Sequence, residues 1–245
     1  MPFREIAERV AALSGTSDGI RLLHVTDFHN RRPGFRLFRE LTAVLRPELV
    51  VNTGDLFGVG GPVERLLVRT ALRINSPTVF APGNHDSPVT RQEMRRLGAA
   101  VLDRPKLVEV SGVPIWGYPD PNRTVWIFGS YRRRLVTEAA ARLGDELSGI
   151  DRPFLVAVHN EPMAPSPPAV CKLVLSGHWH SVRLRKAGPT IFLRTGSIGG
   201  RTVMKKAMRF SLIDLQPKSL TPLAIRLFEV VGGKVLVDSP DLSAL

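Results

Sequence analysis

The stretch Ala81-Pro82-Gly83-Asn84-His85-Asp86 follows a short apolar run, Pro77 to Phe80, and places four groups of different chemistry on one sharp turn. Gly83 admits backbone conformations closed to other residues. Asn84 offers a neutral amide oxygen, His85 an imidazole and Asp86 a carboxylate. Alone, the segment reads as a polar turn after a strand. Four more segments of the same design, in order along the chain, give it another meaning.

Towards the N-terminus, Ile20 to Thr26 is a buried strand ending at Asp27-Phe28-His29. Leu49 to Asn52 is a second strand, running into Thr53-Gly54-Asp55, and Thr78 to Phe80 leads into the opening turn. Helical spacing of apolar residues marks Phe35 to Leu45, stopped by Pro47, and Val63 to Leu72, with Leu66, Leu67 and Ala71 as its inner face. Thr90 to Leu97 is a third helix, with Thr90 as N-cap and Glu93 completing a capping box. Three successive strand–loop–helix units predict a parallel, layered α/β sheet. Each polar cluster sits just after its strand. Carboxyl ends of neighbouring parallel strands open on the same sheet edge, so the clusters should converge.

Towards the C-terminus the alternation loosens. Leu107 to Val110 and Val113 to Trp116 read as a hairpin around Ser111-Gly112, and Pro119 to Ser130 as a loop with Tyr118 and Trp126 as exposed aromatics. Leu135 to Leu147 reads as a helix. Phe154 to Val158 is a strand ending at His159, and Leu173 to Leu175 a strand ending at Ser176-Gly177-His178-Trp179-His180. Ile191 to Leu193, Arg209 to Leu215 and Leu223 to Val231 are further strands, with Gly232-Gly233 as a turn. No repeat, low-complexity tract or linker interrupts the pattern, so one domain is expected over residues 1–245. Residues 1–19 read as a helical extension whose Phe3, Ile6, Val10 and Leu13 pack on it.

Composition bounds the function without choosing it. A 43% hydrophobic, 23% charged chain of 245 residues is globular. The single cysteine, Cys171, excludes an intramolecular disulfide and a Cys-rich zinc site, which makes a reducing cytoplasm the simplest home. No apolar run approaches the roughly 18 residues a membrane crossing needs, leaving only peripheral contact through the N-terminal helix. The formal charge is +12, with clusters at Arg31 and Arg32, Arg95 and Arg96, Arg132 to Arg134, Arg183 to Lys186, and Lys205 and Lys206. Such an excess favours anionic partners, nucleic acid among them, or is an arginine-rich surface with no partner.

The strand-end residues form one set: Asp27 and His29, Asp55, Asn84 and His85, His159, His178 and His180. Five of the six histidines fall in these positions. Only His24 lies inside a strand, as a hydrogen-bonded core residue. Imidazole and carboxylate together suit divalent transition metals, and an amide oxygen adds a hard ligand.

The ordered set Asp-x-His, Gly-Asp, Gly-Asn-His-Asp, His and Gly-His-x-His resembles the calcineurin-like metallophosphoesterase superfamily, from about Ile20 to Ile198. Thr195-Gly196-Ser197 also resembles its post-motif turn. The resemblance implies a four-layered α/β/β/α sandwich with a two-metal site at strand carboxyl ends. By that resemblance Asp27, His29 and His180 hold one metal, Asn84, His159 and His178 the other, and Asp55 bridges them. Two such ions sit about 3.5–4 Å apart and lower the pKa of a shared water from about 15.7 towards 7, making a hydroxide for in-line attack on phosphorus. The resemblance further implies that His85 stabilises phosphoryl charge and protonates the leaving alkoxide. Where many members carry an acid to orient that histidine, this chain has Gly58. Either Asp86 or Asp120 substitutes, or His85 contributes less.

The expected function is therefore metal-dependent hydrolysis of a phosphodiester or phosphomonoester, with manganese as the first choice of ion and iron, zinc, nickel or cobalt as others. A small-molecule substrate is favoured by the short His159-to-His178 interval, which leaves little room for a cap domain. A nuclease and an enzyme of lipid head groups are the alternatives. A non-catalytic scaffold fits less well, because all seven ligand positions are intact. Oligomeric state is not readable from the sequence.

Overall fold

A computed structural model describes residues 2–57, 62–122, 132–200 and 207–245. The expected Gly58, Trp126, Lys205 and Lys206 lie outside the described residues. The chain begins with α1 (Phe3–Ser14) and then alternates β1 (Ile20–Val25), α2 (Arg32–Leu45), β2 (Leu49–Asn52), α3 (Pro62–Ala71), β3 (Thr78–Phe80), α4 (Pro88–Arg96) and β4 (Ala100–Val101). A hairpin follows, β5 (Lys106–Val110) and β6 (Val113–Gly117), then α5 (Arg133–Leu147), β7 (Phe154–Ala157), a 3₁₀ turn (Glu161–Met163) and β8 (Cys171–Ser176). Five antiparallel additions close it: β9 (Val182–Ala187), β10 (Thr190–Thr195), β11 (Met208–Leu215), β12 (Pro222–Val231) and β13 (Lys234–Asp238), although β10 itself also pairs parallel with β8.

These strands build two sheets, ordered β13-β12-β11-β1-β2-β3-β4 and β5-β6-β7-β8-β10-β9. The run β1-β2-β3-β4 is parallel, and so is β6-β7-β8-β10. Strand alternation decides what each sheet face meets. In the first sheet Leu23, Val25, Val50 and Phe80 join Ile6, Val10, Phe38 and Leu41 of the helices in one buried cluster. Their neighbours Leu22, Leu49, Val51 and Val79 point the other way and meet Ile115, Leu155, Leu173 and Leu193 of the second sheet. The far face of that sheet, Phe154, Val156 and Phe192, packs on Val136, Leu143 and Leu147 of α5. Three apolar interfaces thus separate four layers, α/β/β/α.

Some local expectations give way to tertiary contacts. The α4 N-cap is Ser87, whose hydroxyl accepts from Val89 N at 3.1 Å and Thr90 N at 3.2 Å, a cap worth about 1 kcal/mol. Thr90 instead donates to buried Glu64, and Glu93 binds Arg69 and Arg96 at 2.7 Å each. Leu66 is 64% exposed, whereas the expected Leu67 and Ala71 do pack on the core, beside the more deeply buried Val68 and, just past the end of α3, Leu72. In α1, Leu13 is exposed while Ala7 and Ser14 are buried. The apolar face of α1 lies in the helix-side cluster with α2, so it is not available to a bilayer. Among the described residues no helix is long and apolar enough to cross a membrane. Tyr118 is buried, with its hydroxyl donating to Met163 O at 3.0 Å. Strands β4, β9 and β13 add to the expected set. On β9, an edge strand, Leu184 packs on the core between the sheets while Arg185 stacks over Phe192 and binds Glu161 at 2.8 Å.

His24 is fully buried in β1, with Nε2 3.0 Å from Thr53 Oγ1. Burial pushes its pKa down to about 3, against a weaker opposing pull from Asp27. An unfolded chain would titrate this group near 6.5, so it binds more protons than the folded one between pH 3 and 6.5. Stability contributed at neutral pH is therefore lost as pH falls through that window, at up to about 1.4 kcal/mol per pH unit. His24→Gln, which keeps a partner for Thr53, should flatten the fall in urea midpoint between pH 6.5 and 4. An unchanged slope would show that His24 does not titrate in this way.

Candidate metal centre

Because β1, β2, β3, β6, β7 and β8 run parallel within their sheets, the loops that follow them open on the same edges. The loops are pinned to one another by backbone hydrogen bonds. Asp27 N donates to Gly54 O at 2.9 Å, His29 N to Asp55 O at 3.0 Å, and Gly177 N to His159 O at 2.8 Å. Asp120 N donates to Pro82 O at 2.9 Å, which docks the loop after β6 on the loop after β3. Asp27, His29, Asp55, His178 and His180 all have positive φ, between 46° and 71°. Side chains rarely adopt that conformation, and each instance costs about 1–3 kcal/mol unless the surroundings enforce it. Its concentration at these residues marks the loops as shaped for a site.

Two glycines of the motifs are required by close approach. A Cβ on Gly83 would lie 2.8 Å from His159 Nδ1 and inside contact with Asp55 Oδ1. A Cβ on Gly177 would lie 2.6 Å from Asp27 Oδ2 and overlap Thr26 Oγ1. No larger residue fits either place.

The expected ligands converge. His29 Nε2 and His180 Nε2 are 2.8 Å apart, and Asp27 Oδ1 lies 3.4 Å from the first and 3.2 Å from the second. His159 Nε2 lies 3.2 Å from His178 Nδ1. Between the two groups stands one oxygen, Asp55 Oδ2, 3.2 Å from His159 Nε2 and 3.7 Å from His29 Nε2. Asn84 sits on the turn before α4 with its Oδ1 out of solvent. Asp27 Oδ1 is buried without a hydrogen-bond donor. Carboxylate and imidazole atoms this close, with a buried oxygen lacking a donor, fit a divalent transition-metal site.

The surroundings prepare these ligands. His159 Nδ1–H donates to Thr53 O at 2.7 Å, leaving Nε2 free to face the centre. Asp27 Oδ2 accepts from Thr26 Oγ1 and His178 N, and its carbonyl from Ser197 Oγ at 2.6 Å. The Ser197 turn thereby braces the first ligand. Burial opposes ionisation of Asp55, but the neighbouring His159 holds it down at about 2. His29 and His180 hold Asp27 well below the usual carboxylate range against the same burial. Burial likewise opposes a proton on His159, yet Asp55, Asp27 and Asp120 raise it well above the usual imidazole value. Burial, with His159 beside it, lowers His178 to about 4.

His85, expected to act on substrate, and Asp86, expected to orient it, are placed differently. His85 is half-buried, its ring 5.5 Å from that of His29, and its backbone N–H donates to Asp55 Oδ1 at 3.0 Å. Burial lowers its pKa, with Asp55 opposing. Asp86 is buried, and its oxygens accept the N–H groups of Asp55 at 2.7 Å, Gly83 at 2.8 Å and Leu56 at 2.9 Å. Burial and the Asp55 charge push it up to about 7. Asp120 is also fully buried, and its carboxylate lies beside His159 and His178. Thr53 and Ser197 stand in turns the sequence marks, but the contacts by which they fix His159 and Asp27 escaped the sequence reading, because a hydroxyl or carbonyl after a strand carries no periodic signal. At the rim, Trp179 is 56% exposed, with its ring 5.4 Å from that of His178. A cleft of about 340 Å³ is lined by Asn30, Phe57 and the guanidinium-bearing Arg32, Arg36 and Arg39.

Comparison with curated proteins returned no match. Among solved structures, the chain is similar to a Vps29 single mutant from Entamoeba histolytica at 17% identity and a TM-score of 0.50, over 91% of this chain and 99% of that one. It is similar to an archaeal phosphodiesterase at 14% identity and a TM-score of 0.52, over 86% and 99%. It is also similar to a 5′-nucleotidase, so described as a putative one, from Staphylococcus aureus, at 14% identity and a TM-score of 0.53, over 86% of this chain and 54% of that one. At such identities the likeness is one of fold. The family model of the calcineurin-like phosphoesterases matches residues 20–182, well over half the chain, a span that contains every expected ligand from Asp27 to His180: the chain belongs to the calcineurin-like phosphoesterase family.

Proposed function

We propose that the protein is a metal-dependent phosphodiesterase of small anionic substrates, working in a reducing cytoplasm where its one buried thiol, Cys171, stays free. The observation that carries this reading is the position of Asp55 Oδ2 between two His/Asp groups. Asp27, His29 and His180 would hold one divalent ion, and Asn84, His159 and His178 the other, with Asp55 shared. Manganese is the first choice, with iron, zinc, nickel and cobalt accepted by the same donors. Ions bound there supply Lewis acidity and lower the pKa of water towards about 7. The phosphodiesterase and nucleotidase among the structural neighbours support phosphoester chemistry.

The residues divide the remaining work. His85, next to Asn84 and across from His29, donates a ring N–H to a phosphoryl or leaving-group oxygen. Near neutral pH its lowered pKa favours the neutral ring, and an arriving phosphate anion favours the proton. Asp86 acts as a positioning residue, since three backbone donors occupy its oxygens and hold the Gly83–Asp86 turn against Asp55. Among the described residues Arg32 and Arg36 pair with no acid, whereas Arg95, Arg96, Arg134 and Arg185 are bound to Asp103, Glu93, Glu138 and Glu161 respectively. The unpaired pair lines the cleft beginning at Asn30, one residue beyond His29, and suits a second anionic group on the substrate. The same feature favours a nuclease as the second reading. The covered face of α1 disfavours lipid head groups.

A panel of bis(p-nitrophenyl) phosphate, p-nitrophenyl phosphate, cyclic nucleotides and plasmid DNA, each with manganese and with chelator, tests the reading. Chelator-reversible turnover of the small diester, with DNA left intact, is the expected result. DNA cleavage without diester turnover selects the nuclease, and no turnover of any substrate overturns the enzymatic reading. Asp55→Asn and His178→Ala should lose bound metal and nearly all activity. His85→Ala should keep metal but turn over slowly, most of all with poor leaving groups. Unchanged rates would remove its assigned role. Because His159 must give up a raised proton to bind an ion, manganese affinity should climb with pH through neutrality. Calorimetry in buffers of different ionisation enthalpy should register the released proton, and a pH-independent affinity would contradict the ligand assignment.

A further inference from the structure

We propose that Asp120 is a third anionic ligand of the metal centre, serving the ion between His159 and His178. The proposal rests on the two-ion reading given above and extends it to a residue outside the expected ligand set. Asp120 obeys the placement rule of the other ligands. It stands three residues beyond β6, a parallel strand of the second sheet, on the loop whose N–H at Asp120 docks on Pro82 O. Its carboxylate offers an oxygen within 4.8 Å of ring nitrogens of both His159 and His178.

The state of its two oxygens separates a turn residue from a ligand. Oδ1 accepts from Asn122 N at 2.7 Å, an ordinary Asx turn. Oδ2 is buried and has no hydrogen-bond partner among the described residues. A buried carboxylate oxygen without a donor is costly, and the turn does not require it, because an asparagine would satisfy Asn122 N equally well. Charge gives the reason for a carboxylate. The group of His29 and His180 has Asp27 to itself, whereas His159 and His178 have only the neutral amide of Asn84 and a share of Asp55. Two dications against Asp27 and Asp55 leave a net charge of about +2 in a buried site, and Asp120 halves it.

Asp120→Asn is the discriminating variant, since it keeps the Oδ1 acceptor and replaces only the free oxygen. Manganese content after gel filtration and calorimetric titration of the metal-free protein are the readouts, with melting temperature beside them. The wild type should bind two ions per chain. The variant should keep one, bind the second at least tenfold more weakly, and gain less melting temperature on manganese addition, while its metal-free form melts no lower than wild type. Unchanged stoichiometry and affinity overturn the proposal, as does a lower metal-free melting temperature with unchanged affinity, the mark of a purely structural residue. If Asp120→Asn fails to fold, Asp120→Ser, which also accepts from Asn122 N, is read in the same way. A wild type that binds no divalent ion overturns the two-ion reading together with this one, whereas a two-ion wild type with an indifferent variant overturns only the role of Asp120.

Discussion

Three backbone N–H groups, from Asp55, Leu56 and Gly83, end on the carboxylate of Asp86. That interaction joins the loop after β2 to the loop after β3 and sets how closely they approach. At that separation Gly83 has no room for a side chain, Asp55 Oδ1 receives the N–H of His85, and Asp55 Oδ2 is aimed between two imidazole pairs. Asp27 plays the matching part across the sheets, taking the N–H of His178 on its side chain and Ser197 and Gly199 on its carbonyl. A buried carboxylate is unfavourable by itself. Here the donors that compensate it belong to other loops, so satisfying each acid also assembles the site.

Much of this was legible in the sequence because the residues concerned obey simple rules. Strand runs followed at once by His, Asp or Asn place those groups on a sheet edge, and the topology of β1–β3 and β7–β8 bears that out. What was not legible depended on partners distant in sequence. Ser87 is the cap and not Thr90 because Pro88 opens the helix, which leaves Thr90 inside its first turn, and both hydroxyls donate to Glu64 on another helix. Leu66 and Leu13 have the right period but the wrong phase, since period alone leaves the buried sector uncertain by a residue. Strand β9 alternates Val182, Arg183, Leu184 and Arg185 in register with a half-buried strand, yet its arginines read as a charge cluster. Tyr118, expected as an exposed aromatic at the start of a loop, is buried because its hydroxyl reaches a carbonyl 45 positions away.

Net charge illustrates the same limit. A formal +12 invites an electrostatic partner, but many of the cations have acids assigned to them by the fold. Glu93 alone gathers Arg65, Arg69 and Arg96, and Asp214 takes Arg21 and Arg226. Such partly exposed pairs each contribute little to stability. Their effect is on the field, which they flatten over the helix layer while leaving Arg32 and Arg36, just after the loop that carries Asp27 and His29, without an acid among the described residues. Location, more than total, decides where an anion is drawn.

The alternation on β9 has a consequence for how the molecule behaves among its own copies. An outer strand offers unpaired amides and carbonyls to any passing extended chain, and a long apolar one invites stacking into fibrils. Here the exposed border bristles with guanidinium and ammonium groups, and a second such border brought alongside would be repelled before it could register. The sheet can therefore end in open water without a covering helix.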